Sequence, residues 1–484
     1  MAGSFSEETT LLLGRNEYEG LASRQRIDKT LPERSMAEEF KYVGKALVPL
    51  IFTFFLQYSL TVVSVFSIGR MGRSELAGVS LAIMTFNVSM AVIIGISTCL
   101  DTYCPQAFGA KRYRQGGLYF QKCTAILFII LVPLVLCWFF SGFLLGYFVE
   151  DRDVLEITQT YLRYILFGLP GYILFETGKR FMQAQGIYSA GQWSLFIVAP
   201  TNVLLNKLLV SNKYIGIGVK GAPISTAISY WLMSFILLLY GYFVEGKEHW
   251  YGIEWKEAFD VREWKRMTEM ALNGTVMLLS EFVAFETLTL MAAKFGNASL
   301  AAQSIGATVT ALVFQIPFAV SVVIATRLAQ SLGSQNIASA KIISKISVIY
   351  AAVFGILDCI SLLLAKGPVM SFFTDDRVVG RKASSVLTIV AVNQLYDCMN
   401  VILAGCLRGQ GRQRTGCFLN LVAYYVLAIP SAAIFAFKLN LGVYGLWAGI
   451  GLGIFSLALC EYVAITRSNW EKLIQETIER IDVK

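Results

Sequence analysis

Gln106-Ala-Phe-Gly-Ala110 returns 224 residues later as Gln330-Ser-Leu-Gly-Ser334. Four further echoes keep that spacing. Ser74-Glu-Leu-Ala-Gly78 matches Ala298-Ser-Leu-Ala-Ala302 at 224, and Tyr147-Phe-Val-Glu-Asp-Arg152 matches Phe372-Phe-Thr-Asp-Asp-Arg377 at 225. Gln185-Gly186 pairs with Gln410-Gly411 at 225, and Gly218-Val-Lys-Gly221 with Gly442-Val-Tyr-Gly445 at 224. Each match alone is weak. Five in order at nearly one offset are hard to obtain by chance, so the chain is read as two copies of one unit.

Composition says what the unit is made of. Of 484 residues, 56% are hydrophobic and only 15% charged, against about 25% charged in soluble domains. Mean hydropathy is +0.59. A disordered chain is excluded, because such chains are poor in apolar residues and rich in charge. A membrane helix needs roughly 20 mostly apolar residues. Twelve such segments are predicted, near residues 46–68, 79–100, 117–140, 160–180, 193–211, 222–243, 269–293, 303–326, 347–365, 384–405, 416–437 and 443–466.

The repeat period covers six segments. An even number gives both copies the same topology, a parallel repeat about an axis along the membrane normal. The expected fold class is therefore an all-α polytopic membrane protein, with twelve transmembrane helices in two pseudo-symmetric six-helix lobes. The expected organisation is a tail (1–42), a first lobe (43–243), a linker (244–268), a second lobe (269–466) and a tail (467–484). Two facing six-helix lobes make an alternating-access transporter the leading functional expectation.

Orientation follows from charge. Placing both tails and the linker in the cytosol puts most of the 41 Lys and Arg there, as the positive-inside rule requires. The opposite connection around Glu150, Asp151 and Asp153 is acidic. The expected location is integral, multi-pass, in the plasma membrane or a vacuolar or other endomembrane, with both termini cytosolic. The linker's His249, Trp250, Trp255 and Trp264 suit a membrane surface. A net charge of +8 is small for this size and fits anionic lipid better than nucleic acid. A single His argues against metal sites and catalytic triads. The nine cysteines form no CxxC and read as small buried hydrophobes. No cofactor and no enzyme nucleophile is signalled. Near the N-terminus, Glu8, Leu12 and Leu13 fit an acidic-dileucine sorting pattern.

An acid inside a membrane helix costs about 2.5–3.5 kcal/mol on insertion scales. Glu281, Glu286, Asp358 and Asp397 sit well inside predicted spans, whereas Asp101, Glu176 and Glu461 are expected at solvated helix ends. Glu281 is about twelve residues into helix 7, near the midplane at 1.5 Å per residue. Asp397 is about eight residues from the cytosolic end of helix 10, at similar depth. No Lys or Arg is expected near mid-membrane in either helix. A buried carboxylate without a cation favours its protonated form, and such a group binds a proton, or a cation in its place. The offset sets uncharged Gln57 opposite Glu281 and uncharged Tyr172 opposite Asp397, so titration is expected to be concentrated in the second lobe. Phe285, Tyr424 and Tyr425, with Gln57 and Tyr172, are the expected cavity lining for an organic cation.

Several runs resemble the MATE (multidrug and toxic compound extrusion) transporters, eukaryotic branch. They include Leu100-Asp-Thr-Tyr-Cys-Pro-Gln-Ala-Phe-Gly-Ala110, Ser280-Glu-Phe-Val-Ala-Phe-Glu286 and Ala404-Gly-Cys-Leu-Arg-Gly-Gln-Gly411. Val62-Val-Ser-Val-Phe-Ser-Ile-Gly69, Asn420-Leu-Val-Ala-Tyr-Tyr-Val-Leu-Ala-Ile-Pro430 and Gly442-Val-Tyr-Gly-Leu-Trp447 complete the set. The resemblance implies a V of two lobes and secondary antiport of organic cations or amphipathic metabolites against protons or sodium. It implies cation coupling by Glu281 and Asp397, with Glu286 matching the second glutamate of the helix 7 motif. The sequence departs from the family pattern at Phe282-Val-Ala284 and at Cys104-Pro-Gln106.

The expected protein is thus a functional monomer in the bilayer, exporting a small-molecule substrate in exchange for protons. A lipid or lipid-linked precursor flippase is the first alternative; it would need a basic cavity, and no Lys or Arg is expected mid-helix. A polytopic membrane enzyme would need an intramembrane His, and a channel is the third alternative.

Overall fold

The computed structural model describes residues 34–68, 73–147, 149, 151–212, 214–374 and 376–482. The sorting pattern at Glu8, Leu12 and Leu13 lies outside the described residues. Among the described residues, twelve helical stretches form the bundle in order. The first lobe holds α1 (Met36–Ile68), α2 (Ala77–Gly109), α3 (Tyr113–Phe139), α4 (residues 152–184), α5 (Ser189–Ser211) and α6 (Gly221–Phe243). The second holds α7 (Val261–Ala293), α8 (Asn297–Gly333), α9 (Ile337–Phe373), α10 (Arg377–Gly409), α11 (Gln413–Lys438) and α12 (Gly442–Thr466). Eleven of these are long and apolar enough to span by composition alone. The exception is α4, which carries Arg152, Asp153, Glu156, Arg163, Glu176, Lys179 and Arg180.

Proline explains where the helices break. A proline removes one N–H and its ring clashes with the carbonyl four residues earlier. Pro170 therefore disturbs α4 at Leu166, where a 3-10 turn runs from Leu166 to Gly168. Pro317 does the same to α8 at Val313, where its first segment ends. In α11, Pro430 falls between two π-helical stretches, Val422–Ala428 and Ile434–Lys438. The second-lobe partner of α11 is smooth: Gly445, Gly449 and Gly453 of α12 pack against the backbone at Ala436, Ala432 and Ala428. Small residues at every fourth position let two membrane helices approach closely. Outward-facing Leu238, Leu290 and Leu364 are exposed, and in a bilayer they form the lipid face.

The duplication is visible in backbone conformation. Left-handed residues recur at the repeat offset: Lys111 with Gln335, Gly186 with Gly411, and Gly218 with Gly442. The caps recur too. Asp151 accepts hydrogen bonds from the backbone N–H of Asp153 and Val154, and Asp376 from those of Val378 and Val379. Asp376→Ala is expected to lower stability by about 1 kcal/mol, with Asp151→Ala equivalent. Melting temperatures of the detergent-purified protein check this, and an unchanged value for both would refute the shared capping role.

The two copies of the opening motif meet each other. A Cβ at Gly109 would collide with the Gln330 backbone, and one at Gly333 with the Gln106 backbone. The crossing lies at the end of the bundle that carries the linker. Around it, the Thr102 hydroxyl donates to the Arg408 carbonyl (2.5 Å), Gln106 Nε2 to the Gly409 carbonyl (3.2 Å) and Gln330 Nε2 to the Ala184 carbonyl (2.9 Å). Arg327 of α8 forms a buried pair with Glu39 of α1, with Nε–Oε1 at 2.6 Å. These lobe-to-lobe hydrogen bonds cluster at the linker end.

The expected boundaries shift at three places. Helix α7 begins at Val261, inside the expected linker, and α1 begins at Met36, inside the expected tail. The C-terminal tail is not loose: α13 (Trp470–Ile481) lies across the lobe crossing. Its Arg480 donates to Gln106 Oε1 at 2.6 Å, and the Arg480 carbonyl accepts from the Tyr119 hydroxyl at 3.0 Å. The linker folds back on the first lobe. His249 stacks on Tyr113 at 4.1 Å, and Arg114 pairs with Glu254 and Glu257. The Arg114 guanidinium, hydrogen-bonded to Glu254, holds that carboxyl below its ordinary range.

Candidate functional site

The lobes enclose a cavity of about 420 Å³ above their crossing. Helices α1, α2, α4 and α6 line it from the first lobe; α7, α8 and α10 line it from the second. Its volume lies within the range of small-molecule sites. Phe54, Phe86, Tyr172, Phe285, Phe314 and Phe318 supply an apolar surface. The polar groups are segregated. Glu281, Glu286 and Asp397 stand on the second-lobe wall; Gln57, Glu176, Lys179, Arg180 and Gln183 stand on the first-lobe wall.

Of the residues expected from sequence, Glu281, Glu286, Asp397, Phe285, Gln57 and Tyr172 all line this cavity. Tyr424 and Tyr425 do not. Tyr424 is fully buried in the second-lobe core, and Tyr425 is 39% exposed. Both lie in the π-helical stretch beside Pro430, where residues per turn depart from 3.6 and side chains rotate off the expected face. Asp358 is buried but lies behind α10, 3.3 Å from Cys398 Sγ. The cysteines also divide: Cys137 and Cys460 are exposed, and Cys359 and Cys417 are only partly buried.

The acids expected at solvated helix ends are buried instead. Asp101, Glu176 and Glu461 are 6%, 2% and 0% exposed. Two are held by cations. Lys179 Nζ lies 2.8 Å from Glu176 Oε1, and Gln57 joins them, donating to Glu176 at 2.6 Å and accepting from Lys179 at 3.1 Å. Arg180 pairs with Asp101, whose second oxygen lies 3.6 Å from Arg408 Nε on the other lobe. Lys179 and Arg180 stand close to the end of α4 yet both line the cavity, so the first lobe is polar where its repeat mates suggested neutrality. Hydropathy penalises each charge separately, but a carboxylate paired with a neighbouring cation escapes much of that penalty. The available signal was the spacing Glu176-x-x-Lys179, which places opposite charges on one helix face.

Glu281 opens onto a second space. A void of about 30 Å³ separates it from Arg408, with Thr98, Asn400 and Asn420 also on its wall. That is room on the order of a water molecule. Arg408 is thus within electrostatic range of Glu281, although its hydrogen bond goes to Ser321 Oγ at 2.5 Å. The isolation expected for Glu281 holds for direct ion pairs but not for its surroundings. Asn400 stands one turn from Asp397 on α10.

Comparison with known proteins agrees with this architecture. A family model described as MatE matches residues 49–208 and 275–434, one stretch in each lobe. The uncharacterized transporter YDR338C of Saccharomyces cerevisiae is 38% identical over 436 residues; the match covers 90% of this chain and 62% of that protein's length. Multidrug and toxin extrusion protein 1 of Mus musculus is 29% identical over 470 residues, 96% of this chain and 81% of that one. The crystal structure of the eukaryotic MATE transporter AtDTX14 superposes with a TM-score of 0.86 at 26% identity, covering 92% of this chain and 99% of that one. With both lobes matched separately, twelve helices around a central cavity and a fold shared almost end to end, the chain belongs to the MatE family of membrane transporters.

Proposed function

We propose that this protein is a secondary antiporter that exports small organic, cationic or amphipathic compounds in exchange for protons by alternating access. The observation that carries this reading is the second-lobe wall, where Glu281, Glu286 and Asp397 share one cavity with no direct ion pair to Glu281 among the described residues. A carboxylate in such a site exchanges a proton for a cationic substrate without moving net charge through the lipid. The cavity walls belong to different lobes, so rocking the lobes exposes the site first to one side and then to the other. The reading places tails and linker in the cytosol and treats a single chain as the working unit. The membrane is the plasma membrane or an endomembrane.

The flippase alternative gains little from Lys179 and Arg180, because each cation already holds a carboxylate. A phosphorylated headgroup would have to compete with those pairs.

Proteoliposomes test the coupling. Export driven by an imposed pH gradient is expected to persist when sodium is removed from both sides. Loss of transport on sodium removal, with the pH gradient intact, would refute proton coupling. A related expectation concerns the repeat. Gln57→Glu does not restore exchange to Glu281→Gln, because position 57 is already tied to Glu176 and Lys179. Full rescue would show that the lobes are interchangeable.

A further inference from the structure

One buried carboxylate of the second lobe stands outside the cavity. Glu461 of α12 is fully buried, and neither of its oxygens has a hydrogen-bond partner. Among the described residues these are the only buried carboxylate oxygens left so. An ionised carboxylate without a partner is costly to bury, so this geometry suits the neutral acid. The groups facing Glu461 from the helices packed on α12 are Arg408 and Cys406 of α10, Tyr424 of α11 and Glu281 of α7. Arg412, just past α10, is tied to the Ala464 carbonyl at 2.9 Å. Counted from the linker ends of the two helices, Gly409 and Thr466, Glu461 stands four residues deeper than Arg408. That is about 6 Å at 1.5 Å per residue, within the span of an arginine side chain.

The ties of Arg408 to the first lobe are loose. Its Nε makes no hydrogen bond and lies 3.6 Å from Asp101, whose closer partner is Arg180. Asp101 thus faces two guanidinium groups with one charge. When the lobes part at the linker end, Asp101 goes with the first lobe and keeps Arg180. Arg408 stays in the second lobe with Ser321, a neutral partner. A buried cation stripped of its counter-ion is strongly unfavourable.

We propose that Arg408 changes counter-ion as the lobes part at the linker end, leaving Asp101 for Glu461, whose proton passes to water entering the opened end. This rests on the alternating-access reading above and adds to it a residue that makes opening depend on pH. The Glu461 O–H bond breaks, one proton leaves, and the new carboxylate neutralises the guanidinium; closing reverses each step. Opening releases a proton, so it is favoured as pH rises. Glu461 does not line the cavity, and it acts through Arg408 as a positioning residue.

Spin labels carried by unnatural amino acids in place of exposed Lys111 and Lys341, one on each lobe, leave the native cysteines untouched. They report opening without a gradient or a substrate. In the wild type the long-distance population is expected to grow from about pH 5 to about pH 9. Glu461→Gln, isosteric with the neutral acid, is expected to keep the closed arrangement. It is expected to lower the open-to-closed ratio at least about tenfold at the alkaline end, the least effect of leaving a buried cation unpaired, and to flatten the pH dependence. In an Arg408→Met background the same substitution is expected to change the ratio less than about twofold, because no cation remains to be received. A merely structural Glu461 would not depend on Arg408 in this way. An unchanged ratio and pH profile in Glu461→Gln would overturn the proposal. So would an equal shift in the Arg408→Met background, or failure of Glu461→Gln to fold, which would mean that the closed site already holds an anion. Two wild-type populations that ignore Glu461 would leave the alternating-access reading standing. A single distance at every pH would reject that reading and the exchange with it.

Discussion

Glu281→Gln is expected to abolish exchange driven by a pH gradient while leaving a folded, membrane-inserted protein. The amide is isosteric with the protonated acid and cannot lose a proton, so it fixes the site in one of its two states. A neutral amide costs less in a membrane helix than a carboxylate, so yield and melting temperature are expected to hold or rise. Initial rates of coupled export are expected to fall at least about tenfold, and the loss belongs to kcat as well as kcat/KM, because every cycle needs the proton step. Cationic substrates are expected to bind more weakly, and neutral ones to change less. Asp397→Asn is expected to resemble it, since Asp397 lines the same cavity on α10. The double variant is expected to be little worse than either single one, because groups that act as a unit are non-additive. Wild-type rates with an unchanged pH profile in Glu281→Gln would make Glu281 a structural hydrogen bonder. The role would then pass to Glu286, the remaining second-lobe acid on the cavity wall, since Asp358 faces away behind α10.

The legible part of this site was the part that hydropathy and repetition both address. Glu281 and Asp397 interrupt long apolar runs, so they stand out against their own helices. The repeat then located Gln57 and Tyr172 in the opposite wall, because two copies of one unit place equivalent positions symmetrically about the axis. Three other features were hidden for separate physical reasons. The α4 cluster was hidden because pairing is a three-dimensional fact: Asp101 meets Arg180 from another helix, and neither residue alone suggests burial. Tyr424 and Tyr425 were misplaced because facing was inferred from a 3.6-residue turn that α11 abandons near Pro430. Arg408 was overlooked because it lies close to the end of its helix in sequence, where a charge is ordinarily solvated. The other lobe covers it.

That covered arginine gives the other large effect. Asp101 holds two guanidinium groups, Arg180 within its own lobe and Arg408 across the lobe boundary. All three side chains are buried. Removing one partner of a buried ion pair costs about 3–5 kcal/mol, because the remaining charge is left uncompensated. Asp101→Asn strands two cations at once, so the upper part of that range is expected, with a lower melting temperature and reduced yield. Arg408→Met is expected to behave differently. Asp101 keeps Arg180 and the first lobe stays intact, while the charge link between lobes is lost together with Arg408's hydrogen bond to Ser321 in its own lobe. Its consequence falls on the equilibrium between lobe arrangements. The linker end is closed by this pair, by the crossing at Gly109 and Gly333, and by α13 above them; weakening one of the three favours separation there. Spin labels at exposed Lys111 and Lys341, one on each lobe at that end, report the spacing by pulsed electron–electron dipolar measurements. Arg408→Met is expected to add a population at longer distance, and Asp101→Asn to show the larger loss of thermal stability. If Asp101→Asn melts with the wild type, the carboxylate is not the shared counter-ion that the geometry implies. If Arg408→Met leaves the distance distribution unchanged, the ion pair does not hold the linker end shut, and closure rests on the backbone crossing of α2 and α8.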